Sequence, residues 1–287
     1  MAAALGVRQI LDWNYRMKER IFYVFLLTIF CMSCSAVKEN NQEQYYPEII
    51  EVSLKNGSEV GLGKYPITIK QFSYFVSQSN YLTEAEKNVT EGCWGVREDK
   101  SVGWMPNENW NNNRMTQGEQ HPVVCVSWND ALAYTKWLSS VTGEVYRLPY
   151  AGEWEYAAHG DVDSKYYFGD NESEVCKHIN HADINFLDVF NDQAIISKCD
   201  DGFSETSPVG TYSPNLNALF DMYGNVWEWQ LDCVGEEQVN SDTCTEHALR
   251  GASYASNPSG IVIGYKNSGM KNTRTADYGF RVLKEIH

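Results

Sequence analysis

Residues 221–232 read DMYGNVWEWQLD. An Asp, Gly and Asn turn gives way to a short β-like run carrying two tryptophans and a carboxylate. Upstream, residues 121–158 read HPVVCVSWNDALAYTKWLSSVTGEVYRLPYAGEWEYAA. Helical signals occur in three places. Thr68-Ile69-Lys70-Gln71 forms a capping box followed by Phe72, Phe75 and Val76 at helical spacing. Ser127-Trp128-Asn129-Asp130 forms another; Ala133/Trp137 and Tyr134/Leu138 then stack at i,i+4, and Gly143 marks the end. The third lies at 149–160, between Pro149 and Gly160. Elsewhere short β-like runs alternate with long turns rich in Asn, Asp and Gly. The expectation is one α+β domain over 46–287 with sparse regular structure. Loops this long argue either against such an assignment or for function in the loops.

The C-terminal end is the least patterned. Residues 250–282 read RGASYASNPSGIVIGYKNSGMKNTRTADYGFRV, with neither a sustained period of 2 nor one of 3.6. The 287-residue chain has nine tryptophans, 18 tyrosines and 11 phenylalanines, enough for a sizeable aromatic core. Its net charge of −15 argues against nucleic-acid binding and against docking on anionic lipid.

The N-terminus reads as a targeting segment. Met17-Lys18-Glu19-Arg20 precedes an apolar run over 21–32, too short to span a bilayer. Met17 is read as the start, and 1–33 as a lipoprotein-type signal region. Cys34 stands where a bacterial lipobox places its acylated cysteine. A polar tether over 34–45 follows. Six further cysteines allow 15 pairings, and sequence does not choose among them. Cys176/Cys199 and Cys233/Cys244 each flank a polar loop and are favoured as pairs. Cys125, in HPVVCVSW, reads as a buried free thiol on a strand.

Four segments, at 67–87, 121–158, 207–232 and 248–282, resemble the formylglycine-generating enzyme (sulfatase-modifying factor) family in order and spacing. The most specific are GNVWEW together with RLP…EWEYAA. The resemblance implies a C-type lectin-like fold of that enzyme's type. It also implies copper-dependent thiol chemistry on two cysteines, but those positions here are Ser256 and Ile261, and 250–287 holds no cysteine. A serine hydroxyl is not a soft thiolate and isoleucine has no donor atom, so neither copper nor an oxidase is expected. His121, His159, His178, His181 and His247 form no metal-spaced pair on a helix. Glu153 and Glu155 fall on different faces of one helix and make no acid/base pair.

The resemblance does imply structural calcium, an ion that takes oxygen ligands. One set would be Asn180, the His181 carbonyl, Asp201 and the Phe203 carbonyl. The other would be Asp221, the Gly224 and Val226 carbonyls, and Glu228.

A narrower resemblance concerns the last segment. It is similar to the variable proteins of diversity-generating retroelements, of the Treponema variable protein type, which are surface lipoproteins. Arg250, Tyr254, Arg274 and Gly279-Phe280-Arg281 stand at scaffold spacing. The variable runs hold Ala255, Ser256, Asn257, Ser259, Gly260, Ile263, Asn267, Ser268, Gly269, Thr275, Ala276 and Asp277. Each is reachable from an AAC codon by changing adenines, whereas Met270 and Lys271 are not. Tyr265, Tyr254 and Met270 would add larger contacts. The resemblance thus implies a non-catalytic, lipid-anchored protein of the cell envelope or outer surface, binding an unknown protein or glycan, a protein first. The alternative is an enzyme or maturation factor that uses the family cleft differently.

Overall fold

The computed structural model describes residues 43–160, 162–190, 196–234 and 244–286. The signal region, Cys34 and all of the tether but Glu43–Tyr45 lie outside the described residues; Glu43–Tyr45 forms one 3-10 turn. The chain divides into two units, 1–46 and 47–287. In the second unit, β1 (Ile49–Ser53), β2 (Glu59–Gly63), β10 (Leu283–Glu285) and β5 (Tyr146–Arg147) form an antiparallel sheet in that order. Leu283 faces Leu62 across it, so the last strand closes on the first hairpin.

Helix α1 (Ile69–Ser79) starts at Thr68, whose hydroxyl accepts from the Gln71 amide. Helix α3 (Trp128–Thr142) starts at Ser127 with Asp130 completing the box, and ends at Gly143 in the left-handed region. Helix α4 (Ala151–His159) fills the third place. Two short helices carried too few turns to show as periodicity: α2 (Glu84–Lys87) and α5 (Val175–His178). Asp130 also joins elements, accepting from Tyr81 and from the Glu84 amide of α2. Phe72 and Phe75 of α1 pack edge-on with each other; Phe72 stacks on Tyr134 of α3, Phe75 meets it edge-on, and Phe280 joins them.

GNVWEW enters the second sheet: β8 (Asn267–Met270), β7 (Glu246–Arg250), β6 (Trp227–Cys233) and β9 (Tyr278–Gly279). Pairing of β6 with β9 is parallel; the other two pairs are antiparallel. The turn before β6 needs its glycine. Gly224 has φ +77°, and a Cβ there would lie 2.1 Å from the Asn180 carbonyl oxygen. Glu228 and Arg281, both fully buried, pair through both carboxylate oxygens, at 2.7 Å each. Trp154 of α4 donates to the same carboxylate at 2.6 Å. Arg281 also donates to the carbonyls of Gly63 and Phe220, so one ion pair ties β2, α4, β6 and the C-terminus. Losing one partner of such a pair costs about 3–5 kcal/mol, because the other charge stays buried.

Candidate functional site

The site is built on an apolar floor. Tyr254, Ala276, Val226, Met105, Met115 and Phe186 cluster around a disulfide between Cys93 and Cys125. This corrects the expectation for Cys125. It is neither a free thiol nor on a strand; its backbone lies at φ +58°. Its partner lies 32 residues away, so local spacing gave no sign of it. The pairs Cys176–Cys199 and Cys233–Cys244 form as the flanked loops suggested.

Hairpin β3 (Cys93–Val96) and β4 (Val102–Met105) forms one wall above this floor. It docks on the C-terminal segment through Trp94: its amide donates to the Arg274 carbonyl, and its carbonyl accepts from the Ala276 amide. A cleft of about 240 Å³ lies between hairpin and segment, lined by Trp94, Val96, Val102, Phe186, Phe190, Tyr254, Ala255, Ala276 and Asp277. A second cleft of about 380 Å³ shares Trp94 and Asp277 and adds Trp104, Trp227, Asn267, Thr273, Thr275 and Tyr278.

The residues singled out from sequence separate into groups. Ala255, Asn267, Thr275, Ala276 and Asp277 line these two clefts. Ser268 lines, with Asn267, a third cleft beside Arg250 and Lys266. Tyr265 is exposed, its ring 5.9 Å from that of Trp227. Asn257, Ser259 and Gly260 close a turn on the Asn257 side-chain oxygen. Gly260 is buried within it, and the Ile263 amide donates to the Lys165 carbonyl. The segment is not irregular throughout, because Asn267, Ser268, Gly269 and Met270 form strand β8 against β7. Gly269 is less free than its neighbours: a Cβ there would sit 2.7 Å from the Trp229 ring. Ser256 and Ile261 are absorbed into packing. The Ser256 hydroxyl accepts from the Ser253 amide, and Ile261 is buried.

The scaffold arginines are all engaged. Arg250 pairs with Glu155 at 2.6 Å, Arg274 with Glu91 at 2.9 Å, and Arg281 with Glu228. Asp277 differs. Its oxygens accept from Ser253 and Thr275 hydroxyls at 2.8 and 2.6 Å, and burial raises its pKa with no basic group among the described residues acting against it.

Sequence reading missed Trp94, Trp104, Phe186, Phe190 and Trp227 as site residues. The runs CWGV and VGWM around a polar turn were the available signal for the hairpin wall. Nothing local to Phe186 or Phe190 links them to residues 254–277.

The two expected cation sets differ in charge compensation. The Asn180 side-chain oxygen is buried without a hydrogen-bond partner. Asp201 accepts from the His181 and Phe203 amides, and burial pushes its carboxyl up to about 7. Donor oxygens with unmet demand fit a hard cation. In the other set the charge of Glu228 is already met by Arg281. Asp221 accepts from the Gly210 amide, and burial raises its pKa to about 6. His181 has its own role. Its ring meets the Ile179 carbonyl at 3.1 Å and the Ser197 hydroxyl at 2.7 Å, near both sulfurs of the Cys176–Cys199 bridge. That bridge occupies the sulfurs that a metal would need. His178 lies in α5. Glu153 binds Arg147 and Glu155 binds Arg250, so the two carboxylates of α4 are separate.

The description "Sulfatase-modifying factor enzyme 1-like domain" matches residues 55–286. The chain belongs to this family. It is 30% identical over 214 residues to the formylglycine-generating enzyme of Mycobacterium tuberculosis, covering 65% of this chain and 68% of that one. For the mouse and Thermomonospora curvata enzymes the match covers 47% and 59% of their length, so the chain spans about half of these curated relatives. PvdO from Pseudomonas aeruginosa has the same fold, with a TM-score of 0.61 and 24% identity over 80% of this chain and 82% of that one. So does Treponema denticola variable protein 1, with a TM-score of 0.57 and 16% identity over 83% and 95%. The α+β, C-type lectin-like architecture of the formylglycine-generating enzyme type follows.

Proposed function

We propose that this member of the family is a non-catalytic ligand-binding protein whose binding face is the pair of clefts between the β3–β4 hairpin and residues 254–278. One observation carries the reading. The residues at the scaffold positions, Arg250, Tyr254, Arg274, Phe280 and Arg281, are buried and bonded, while Ala255, Asn267 and Asp277 between them open onto the clefts. A frame with fixed contacts and an open wall permits substitution of the wall without unfolding the frame. Retroelement diversification of 255–277 is the genetic form of this reading. Export and a lipid anchor at Cys34 would present the face at the cell envelope or outer surface, toward a protein or glycan ligand. Structural calcium is proposed at Asn180 and Asp201, with the carbonyls of His181 and Phe203; the Asp221 set has less demand for it.

The test compares gene copies from independent isolates. A template repeat and a reverse-transcriptase gene nearby, with differences confined to adenine-templated positions of 255–277, are expected. Uniform 255–277 with scattered differences elsewhere would sink diversification. The second reading, an enzyme or maturation factor, draws on the formylglycine-generating enzyme relatives. Incubating purified protein with copper and a cysteine-containing sulfatase peptide decides it: no formylglycine is expected.

A further inference from the structure

We infer that the binding face takes a cationic group, the ammonium or guanidinium end of a basic side chain on a protein partner, where the two clefts meet. This rests on the ligand-binding reading above. Asp277 and Trp94 line both clefts, so the junction combines a carboxylate with an aromatic ring. The carboxylate is held by neutral donors, the two hydroxyls and its own amide. The three arginines of the segment are committed elsewhere, to Glu155, Glu91 and Glu228. Arg114 acts on Tyr254 and Glu205, where it counters burial, and is not among the groups acting on Asp277. A carboxylate on a half-buried residue, with no countercharge among the described residues, favours a ligand that brings one.

The aromatic wall favours the same class. Trp104, Trp227 and Tyr278 line the second cleft, and Trp94 is 38% exposed. Ring faces attract cations, Trp most strongly. The wall already shows this once within the protein: the Arg274 guanidinium lies 4.8 Å from the Trp104 ring centroid. The apolar cleft beside Asp277, with Val96, Val102 and Phe190, suits the aliphatic stem of a lysine or arginine. The net charge of −15 steers a basic partner toward the protein. A neutral sugar could stack on the same rings but would leave the carboxylate uncompensated.

The test uses, on the full chain, probe pairs matched in shape that differ in charge. Choline is compared with its neutral isostere 3,3-dimethylbutan-1-ol, and n-butylguanidinium with n-butylurea, by titration of the indole N–H signals of Trp94, Trp104 and Trp227. The cations should bind at least tenfold more tightly than the neutral probes. Asp277→Asn should abolish that preference, and Trp94→Ala should weaken every probe. If the neutral probes bind as tightly as the cations to the unmodified protein, the cationic assignment is overturned while the cleft remains a binding site. If no probe of either kind shifts these signals, both the assignment and the reading of this face as the ligand site fail. The comparison on unmodified protein decides the matter even if a variant does not fold.

Discussion

Glu228 and Asp277 sit a few residues apart across the β6–β9 pairing, and the fold treats them in opposite ways. Glu228 is fully buried, with Arg281 on both oxygens and Trp154 on one. Asp277 faces two clefts and accepts hydrogens from neutral groups. The first carboxylate fastens elements that are distant in sequence; the second is held by neutral donors and meets no basic group among the described residues. Frame and face thus differ less in residue type than in whether the charge is answered internally.

The largest expected effect tests the frame. Arg281→Gln should lower stability by about 3–5 kcal/mol, measured by urea unfolding, because Glu228 would stay buried without its partner. A loss below about 1 kcal/mol would mean that another group answers Glu228, and the contrast with Asp277 would break. Removing the Cys93–Cys125 bridge as a double alanine variant should cost about 4 kcal/mol by loop-closure entropy. It should also broaden the NMR signals of Tyr254 and Ala276, which rest on that bridge.

Calcium sharpens the contrast between the two oxygen sets. The Asp201 carboxyl, at about 7 in the fold, lies above its ordinary 3.8. Its contribution is therefore fully present below about pH 4 and is lost as pH rises through 7, since the unfolded chain ionises first. A cation bound to the ionised form offsets that loss. Calcium should raise the melting temperature by several degrees at pH 8 and scarcely at pH 5. Asp201→Asn should remove most of this difference, and Asp221→Asn should remove less. The reverse ranking would show that the Asp221 set holds the ion.

Smaller effects separate free from constrained positions within the segment. Gly269→Val should cost about 1–3 kcal/mol, because its side chain meets the Trp229 ring. Met270→Thr, on an exposed residue, should stay within about 0.5 kcal/mol in the same unfolding assay. Equal effects at the two positions would erase the distinction between constrained and free positions.

Much of this was legible because it is local. The boxes at Thr68 and Ser127 announce their helices within four residues, and GNVWEW announces a turn and strand. The cysteine pairs at 176/199 and 233/244 bracket their own loops. Short α2 and α5 escaped because one turn of helix shows no period. β8 escaped because Asn, Ser and Gly carry little strand propensity, and β7 supplies its pairing.

The absence of cysteine beyond residue 250, the scaffold spacing around 250–282 and the acidic balance are plain from the chain alone. These are matters of composition and order. Tertiary structure alone decided that Cys93 reaches Cys125, that Trp94 stands opposite Asp277, and that each scaffold arginine finds a carboxylate other than Asp277. Those outcomes depend on which distant side chains share a small buried volume, and long-range packing fixes that, not the neighbours of a residue along the chain.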